Sequence, residues 1–217
     1  MAGSPRTLAR DLQAAGVRDE RLLEAVRTTP RADFVPADAI GTAYQDAPLP
    51  IGHDQVTTQP SLTARMIEGL ALSGDEHVLE VGTGLGFQTA LLARLAADVV
   101  SVELWPCFSE QARHNLARHG IGNVELLVGD GSGGVPQRAP YDAVLVSAAF
   151  PRVPAPLVEQ LGVGGRLVQP IGPGGREEVV LFERVAAGLE RREILTLAHF
   201  VRLRGSYGYP LSSAPRY

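Results

Sequence analysis

The sequence predicts an α/β protein with a doubly wound, mostly parallel sheet that ends in an antiparallel pair of strands. Two observations carry the parallel part. Between His77 and Ser147, short β-branched apolar runs alternate with helical patterns, and repeated β-α-β order builds a parallel sheet with helices packed on it. A glycine-rich loop, Gly82 to Gly86, also stands directly between a strand and a helix. The third observation concerns the last third of the chain. There Gly165–Pro170, Val179–Arg184 and Ile194–Leu203 read as strands with few helical patterns between them, which suits an antiparallel closure.

Taken in order, Pro5 to about Thr28 carries Leu8, Leu12 and Ala15, then Leu22, Leu23, Ala25 and Val26, at helical spacing. Gly16-Val17-Arg18 breaks the pattern into two short helices. Arg31 to Gln59 holds Pro36, Pro48 and Pro50 with no sustained period, and long irregular stretches inside compact domains tend to be functional. Pro60 opens a helix that places Leu62, Met66, Ile67 and Leu70 on one face. Strand His77–Val81, helix Phe87–Ala96, strand Val99–Leu104, helix Pro106–His119, strand Val124–Val128, the turn Asp130–Gly134 and strand Ala143–Ser147 follow. A single domain over 1–217 is expected, with N-terminal helices and a substrate loop in 1–59, a nucleotide-binding core in 60–205 and a tail in 206–217.

Composition narrows the function. The 217 residues are 45% hydrophobic and 20% charged, a globular balance. The net charge of -4 argues against a surface built to neutralise phosphates, so no nucleic acid is expected. All 20 basic residues are Arg and there is no Lys, which removes Schiff-base and P-loop lysine chemistry. The single Cys107 can form no intrachain disulfide and, with five scattered His, no structural zinc site; no metal is expected. No apolar run is long enough to cross a bilayer and the N-terminus lacks the apolar core of a signal peptide. A soluble, cytoplasmic monomer is expected.

In the segment VLEVGTGLGFQ, a nicotinamide fingerprint would need a third glycine at position 87, which is Phe. The G-x-G-x-G form with Glu80 two residues ahead of Gly82 instead resembles the loop carried by S-adenosylmethionine (SAM) methyltransferases, and that resemblance implies a Rossmann-like fold. Two companions support it. Glu103 ends the second strand, 21 residues after Gly82, where this fold presents an acceptor to ribose hydroxyls. Asp130-Gly131 follows the third strand, where a carboxylate could accept from an adenine amino group and a glycine lets the backbone come close.

Together these residues resemble one family, the protein-L-isoaspartate (D-aspartate) O-methyltransferases. The matching pieces are RADFVP (31–36), AYQDAPLPIGHDQ (43–55), TTQP (57–60), VLEVGTGLGFQTALLA (78–93), GDG (129–131), YDAVLVSAAFPRVP (141–154), LGVGGRLVQPIG (161–172) and HFVRLRG (199–205). The resemblance implies SAM-dependent methylation of the free carboxylate of an isoaspartyl or D-aspartyl residue in a damaged protein. The ester then closes to a succinimide. It implies donor contacts from Glu80, Gly82, Thr83, Gly84, Gly86, Glu103, Asp130 and Gly131, with His53 and Thr57 beside them. Substrate contacts are implied for Pro50, Ile51, Gly52, His53, Ala148 and Ala149. The family's serine near donor and acceptor corresponds to Thr58, which is the expected catalytic residue; its bland reading is a helix-capping hydroxyl ahead of Pro60.

The chain departs from the family pattern at Asp54, Val56 and Arg202, which stand where glycine, Thr and Pro are usual. These departures bear on substrate choice more than on reaction type. Two other readings remain at this level. One is a dedicated enzyme that methylates an Asp of a ribosomally made peptide to form aspartimide or isoaspartate. The other is a SAM-binding module without turnover, whose sign would be decay of the glycine loop or of Glu103; both are intact.

Overall fold

The computed structural model describes residues 3–210. Helix α1 (Pro5–Ala14) begins on a capping box in which the Ser4 side chain accepts from Thr7 N. Helix α2 (Glu20–Thr28) is capped by the Asp19 carboxylate, which accepts from Arg21 N and Leu22 N. Two 3-10 turns, Arg31–Phe34 and Ala37–Thr42, lead to a small antiparallel hairpin of β1 (Leu49–Gly52) and β2 (Gln55–Thr57). The irregular stretch of the sequence thus contains a hairpin. Its two-residue turn places His53 at φ 51° and Asp54 at φ 56°, the doubly positive geometry of tight hairpins. The usual Asn-Gly signal is absent, and Pro48 and Pro50 mask the pairing.

Helix α3 (Pro60–Leu70) then enters the core, followed by β3 (His77–Val81), α4 (Phe87–Leu95), β4 (Asp98–Glu103), α5 (Pro106–Arg118), β5 (Val124–Val128) and β6 (Tyr141–Val146). Helix α6 (Ala155–Gln160), only six residues long and not anticipated from the sequence, precedes β7 (Leu161–Ile171), β8 (Glu177–Val185) and β9 (Gly188–Ala198). The main sheet has the order β5-β4-β3-β6-β7-β8-β9. Its first five strands run parallel, β8 is antiparallel to β7, and β9 is antiparallel to β8. The predicted closure is therefore present, with one boundary moved. The third late strand starts at Gly188, directly after a two-residue turn, and ends at Ala198; residues 201–204 leave the sheet and pair with Ala149 instead.

The central strands β3, β4 and β6 bury both faces, as parallel strands in this architecture do. Val78, Val99, Ala143 and Leu145 pack with α1 to α5 on one side. Leu79, Val81, Val100, Val102, Val144 and Val146 pack with Leu157 of α6 and with Leu203 on the other. Strand order reverses between β3 and β6, because β4 lies on one side of β3 and β6 on the other. In open α/β sheets that reversal opens a crevice at the carboxyl ends of the strands. Residues 206–210 fold back on this end, with Tyr209 N donating to Leu203 O at 2.7 Å; the remainder of the expected tail, 211–217, lies outside the described residues.

Candidate active site

A cleft of about 1020 Å³, counting the space open to solvent at its mouth, occupies that crevice. Its floor is the glycine loop after β3, Glu103 at the end of β4, Gly131 after β5 and Ser147-Ala148 after β6. The β1–β2 hairpin forms a second wall through Ile51, Gln55, Val56, Thr57 and Thr58, and Val201–Arg204 form a third. Gly82 has φ +99°, a conformation that admits little but glycine. At Gly131 the reason is space, since an added Cβ would stand 2.6 Å from Val81 Cγ1.

The acidic residues divide into two kinds. Glu103 is 5% exposed and faces the cleft. Its carboxylate accepts from Gly84 N at 2.8 Å and from Trp105 N at 2.9 Å, which leaves lone pairs on both oxygens. Burial raises its pKa and those two N–H groups oppose the rise. Glu80 is fully buried beneath the loop and lies outside the cleft wall. It accepts from Gln88 Nε2 at 2.8 Å, Thr89 Oγ1 at 2.6 Å and Ser101 Oγ at 2.6 Å. Burial pushes its pKa up to about 7 despite the three donors. Glu80 is thus a brace for the loop and for helix α4 rather than a ligand contact.

Gln88 links this brace to the cleft. Its Nε2 is shared between Glu80 and Ser147 Oγ, the latter at 2.8 Å. Its Oε1 is buried with no partner among the described residues. An orphaned acceptor in the wall of a site suits a ligand that carries a hydrogen-bond donor.

Arg31 supports the hairpin wall from below. Its guanidinium, fully buried, donates to Ala43 O at 2.7 Å, Gln45 O at 3.2 Å, Ala47 O at 3.2 Å, Thr57 Oγ1 at 2.8 Å and Thr58 O at 3.4 Å. Burial lowers its pKa to about 10, with Asp46 opposing, so it stays charged at neutral pH.

Of the residues expected from the sequence, the structure gathers Ile51, Thr57, Thr58, Gly82, Thr83, Gly84, Glu103, Gly131 and Ala148 in the wall. The Thr57 hydroxyl is committed to Arg31 and to Leu49 N. Thr58 is free of such duties. Its hydroxyl has no hydrogen-bond partner among the described residues, and the helix-capping reading fails because the cap of α3 is Gln59. Several expected residues stand elsewhere. Gly86 caps α4 outside the wall. Asp130 is turned away: its carboxylate accepts from Ser132 N and Oγ and from Ser206 N. Burial would raise the Asp130 pKa, but those hydrogen bonds outweigh it and leave the value lowered. Pro50 and Gly52 are exposed on the far side of the hairpin, and Ala149 is fully buried, its N–H and C=O paired with Val201 and Leu203. His53 is exposed and stacks on Trp105, with ring centroids 4.3 Å apart, outside the wall.

Sequence reasoning missed Gln88, Ser147 and Trp105. Trp105 stood two residues after the flagged Glu103, and Ser147 immediately before Ala148, so adjacency to marked strand ends was the available signal.

A mostly parallel sheet reversed at β3, with a glycine loop and a strand-end carboxylate at the crevice, fits the SAM-dependent methyltransferase class. The family model of protein-L-isoaspartate(D-aspartate) O-methyltransferase matches residues 4–207, and the chain belongs to that family. It is 50% identical over 200 residues to the protein-L-isoaspartate O-methyltransferase of Anaeromyxobacter dehalogenans (strain 2CP-C), covering 91% of this chain and 96% of the relative. It is 46% identical over 204 residues to that of Methanoculleus marisnigri, covering 94% and 92%. A solved protein-L-isoaspartate O-methyltransferase superposes with a TM-score of 0.82 at 30% identity, covering 94% of this chain and 67% of that one. A Plasmodium falciparum structure in complex with S-adenosyl-L-homocysteine shares the fold, with a TM-score of 0.78.

The Glu80 carboxyl offers a test of the buried brace. With an ordinary value of 4.5 and a folded value of about 7, the native state keeps a proton that the unfolded chain has lost across that window. The associated stability is full below about 4.5 and is lost as pH rises through 7. Glu80→Gln, which does not titrate, should therefore gain melting temperature relative to the wild type as pH is raised from about 5 to about 8. A difference that stays constant, or that shrinks, contradicts the assignment.

Proposed function

We propose that this chain transfers the methyl group of SAM to the free carboxylate of isoaspartyl or D-aspartyl residues in damaged proteins, with Thr58 placing the acceptor. The observation that carries the placement is the unpartnered Thr58 hydroxyl, in a wall shared with the glycine loop and Glu103. When bound, SAM supplies an electrophilic methyl on a sulfonium that departs as a neutral thioether. The chain's own residues need only bind and align. The acceptor carboxylate is ionised at pH 7 without a general base, so the gain comes from holding the reacting atoms in line. The residues present fit the donor. Glu103 keeps lone pairs for two hydroxyls, and Gln88 Oε1 awaits a donor. Thr58 and Ser147 then offer hydroxyls to the acceptor; Ser147 receives a hydrogen bond from Gln88, which leaves its own proton to give. A neighbouring backbone amide nitrogen then attacks the ester spontaneously, methanol leaves and a succinimide closes, whose hydrolysis returns some ordinary aspartate.

We read the chain as one catalytic unit that works as a monomer, because the three walls of the cleft come from one polypeptide. No helix among the described residues is long and apolar enough to cross a membrane. We place the enzyme in the cytoplasm, where the exposed Cys107 thiol stays reduced.

An isoaspartyl link adds a methylene to the backbone, and a misplacement of about 1 Å can cost on the order of 10²-fold in rate. Short, unrelated isoaspartyl peptides should therefore be methylated well above their aspartyl twins, read by mass spectrometry in one competing mixture. Preference for the ordinary aspartyl peptide would overturn the repair reading and favour a dedicated peptide-tailoring enzyme. At Thr58, removal of the hydroxyl by Thr58→Val should lower kcat by roughly 10-fold or more while SAM affinity by calorimetry changes less, and Thr58→Ser should keep activity. A fully active Thr58→Val would reduce Thr58 to a filler.

A further inference from the structure

The third wall carries charge for which the methyl transfer has no use. Residues 201–204 run along the mouth, fastened by Ala149 N to Val201 O and by Leu203 N to Ala149 O, both at 2.8 Å. Arg202 is exposed there, and its guanidinium lies over the Tyr209 ring at 4.9 Å. Tyr209 is itself fixed: its hydroxyl donates to Pro173 O at 2.8 Å and its ring meets Phe150 edge-on at 5.2 Å. Arg152 lies over the other aromatic, 5.5 Å from the Phe150 centroid. Two cations are thus mounted on one aromatic platform, and neither takes part in an ion pair among the described residues. Among the described residues, the only acidic one in the cleft wall is Glu103, which lies on the floor and is 5% exposed. In a chain of net charge -4, the mouth of the site is therefore positive.

We infer that Arg202, backed by Arg152, receives an acidic side chain of the substrate next to the residue being methylated. The acceptor carboxylate belongs deeper, beside the half-buried Thr58, so the partner of an exposed rim guanidinium is a different carboxylate. A planar guanidinium pairs with a carboxylate in a two-point geometry, and the cation–π seat on Tyr209 restricts its motion before binding. Substrate choice, under this assignment, depends on the sequence around the damaged residue as well as on the isoaspartyl link. The inference rests on the isoaspartyl reading above.

The test uses isoaspartyl peptides with acetylated and amidated ends, identical except for Glu, Gln or Lys at one flanking position at a time. With terminal carboxylates removed, side-chain charge alone differs. At one flanking position kcat/KM should favour Glu over Gln by roughly three- to fivefold, the size of a good exposed ion pair, with Lys lowest. The preference should fall in roughly 0.5 M salt. It should shrink towards parity in Arg202→Gln and invert in favour of Lys in Arg202→Glu. Equal rates with Glu and Gln at every position in the wild type overturn the inference, as does a preference that survives in Arg202→Gln. No methylation of any isoaspartyl peptide would instead overturn the functional reading, and this inference with it.

Discussion

The cleft depends on one buried cation. Arg31 has no solvent exposure and no carboxylate hydrogen-bonded to it; its Nη1 and Nη2 donate to the carbonyls of Ala43, Gln45, Ala47 and Thr58 and to the Thr57 hydroxyl, while Nε has no hydrogen-bond partner among the described residues. A charge in the interior is costly unless its donors are satisfied, so the chain from 43 to 58 is drawn around the guanidinium. An ammonium has three N–H donors against these five acceptors. The other supports of the stretch are fewer: a two-stranded hairpin is marginal alone, its apolar backing is a small cluster of Val35, Ala43 and Leu49, Asp46 accepts from Gln59 Nε2 and Ser61 N, and His53 stacks on Trp105. Arg31 therefore sets where Thr57 and Thr58 stand relative to the sheet.

The opposite wall is organised by a buried acid. Glu80 sits under the glycine loop and ties β3, β4 and α4 together through Ser101, Gln88 and Thr89. Through the shared Gln88 amide it also orients Ser147 at the end of β6. Chemistry at this site asks for alignment rather than for a base, and alignment is what a fixed floor and a fixed roof provide. The two networks meet at the reversal of strand order, where the parallel sheet leaves its crevice.

Much of this was readable in the sequence. The strands from His77 to Val146 announce themselves as apolar runs separated by glycine turns, and the strand-end positions of Glu103 and Gly131 followed from them. What was hidden required three dimensions. The β1–β2 hairpin carries prolines and a His-Asp turn in place of the usual signals. Glu80 reads as a ligand contact by motif, and only burial shows it to be a brace. Asp130 looks like an acceptor for the donor until residues 205–207 are seen folding over it. Arg31 gives no local sign at all, because its five acceptors are 12 to 27 residues away in sequence.

Hydrogen exchange on Arg31→Leu addresses the central claim most directly. If the guanidinium holds the roof, amides in the segment 43–58 should exchange roughly 10- to 150-fold faster than in the wild type, corresponding to lost hydrogen bonds to a charged group. Strands β3, β4 and β6 should keep their protection. Unchanged exchange across 43–58, or a uniform loss of protection over the whole sheet, would contradict the account.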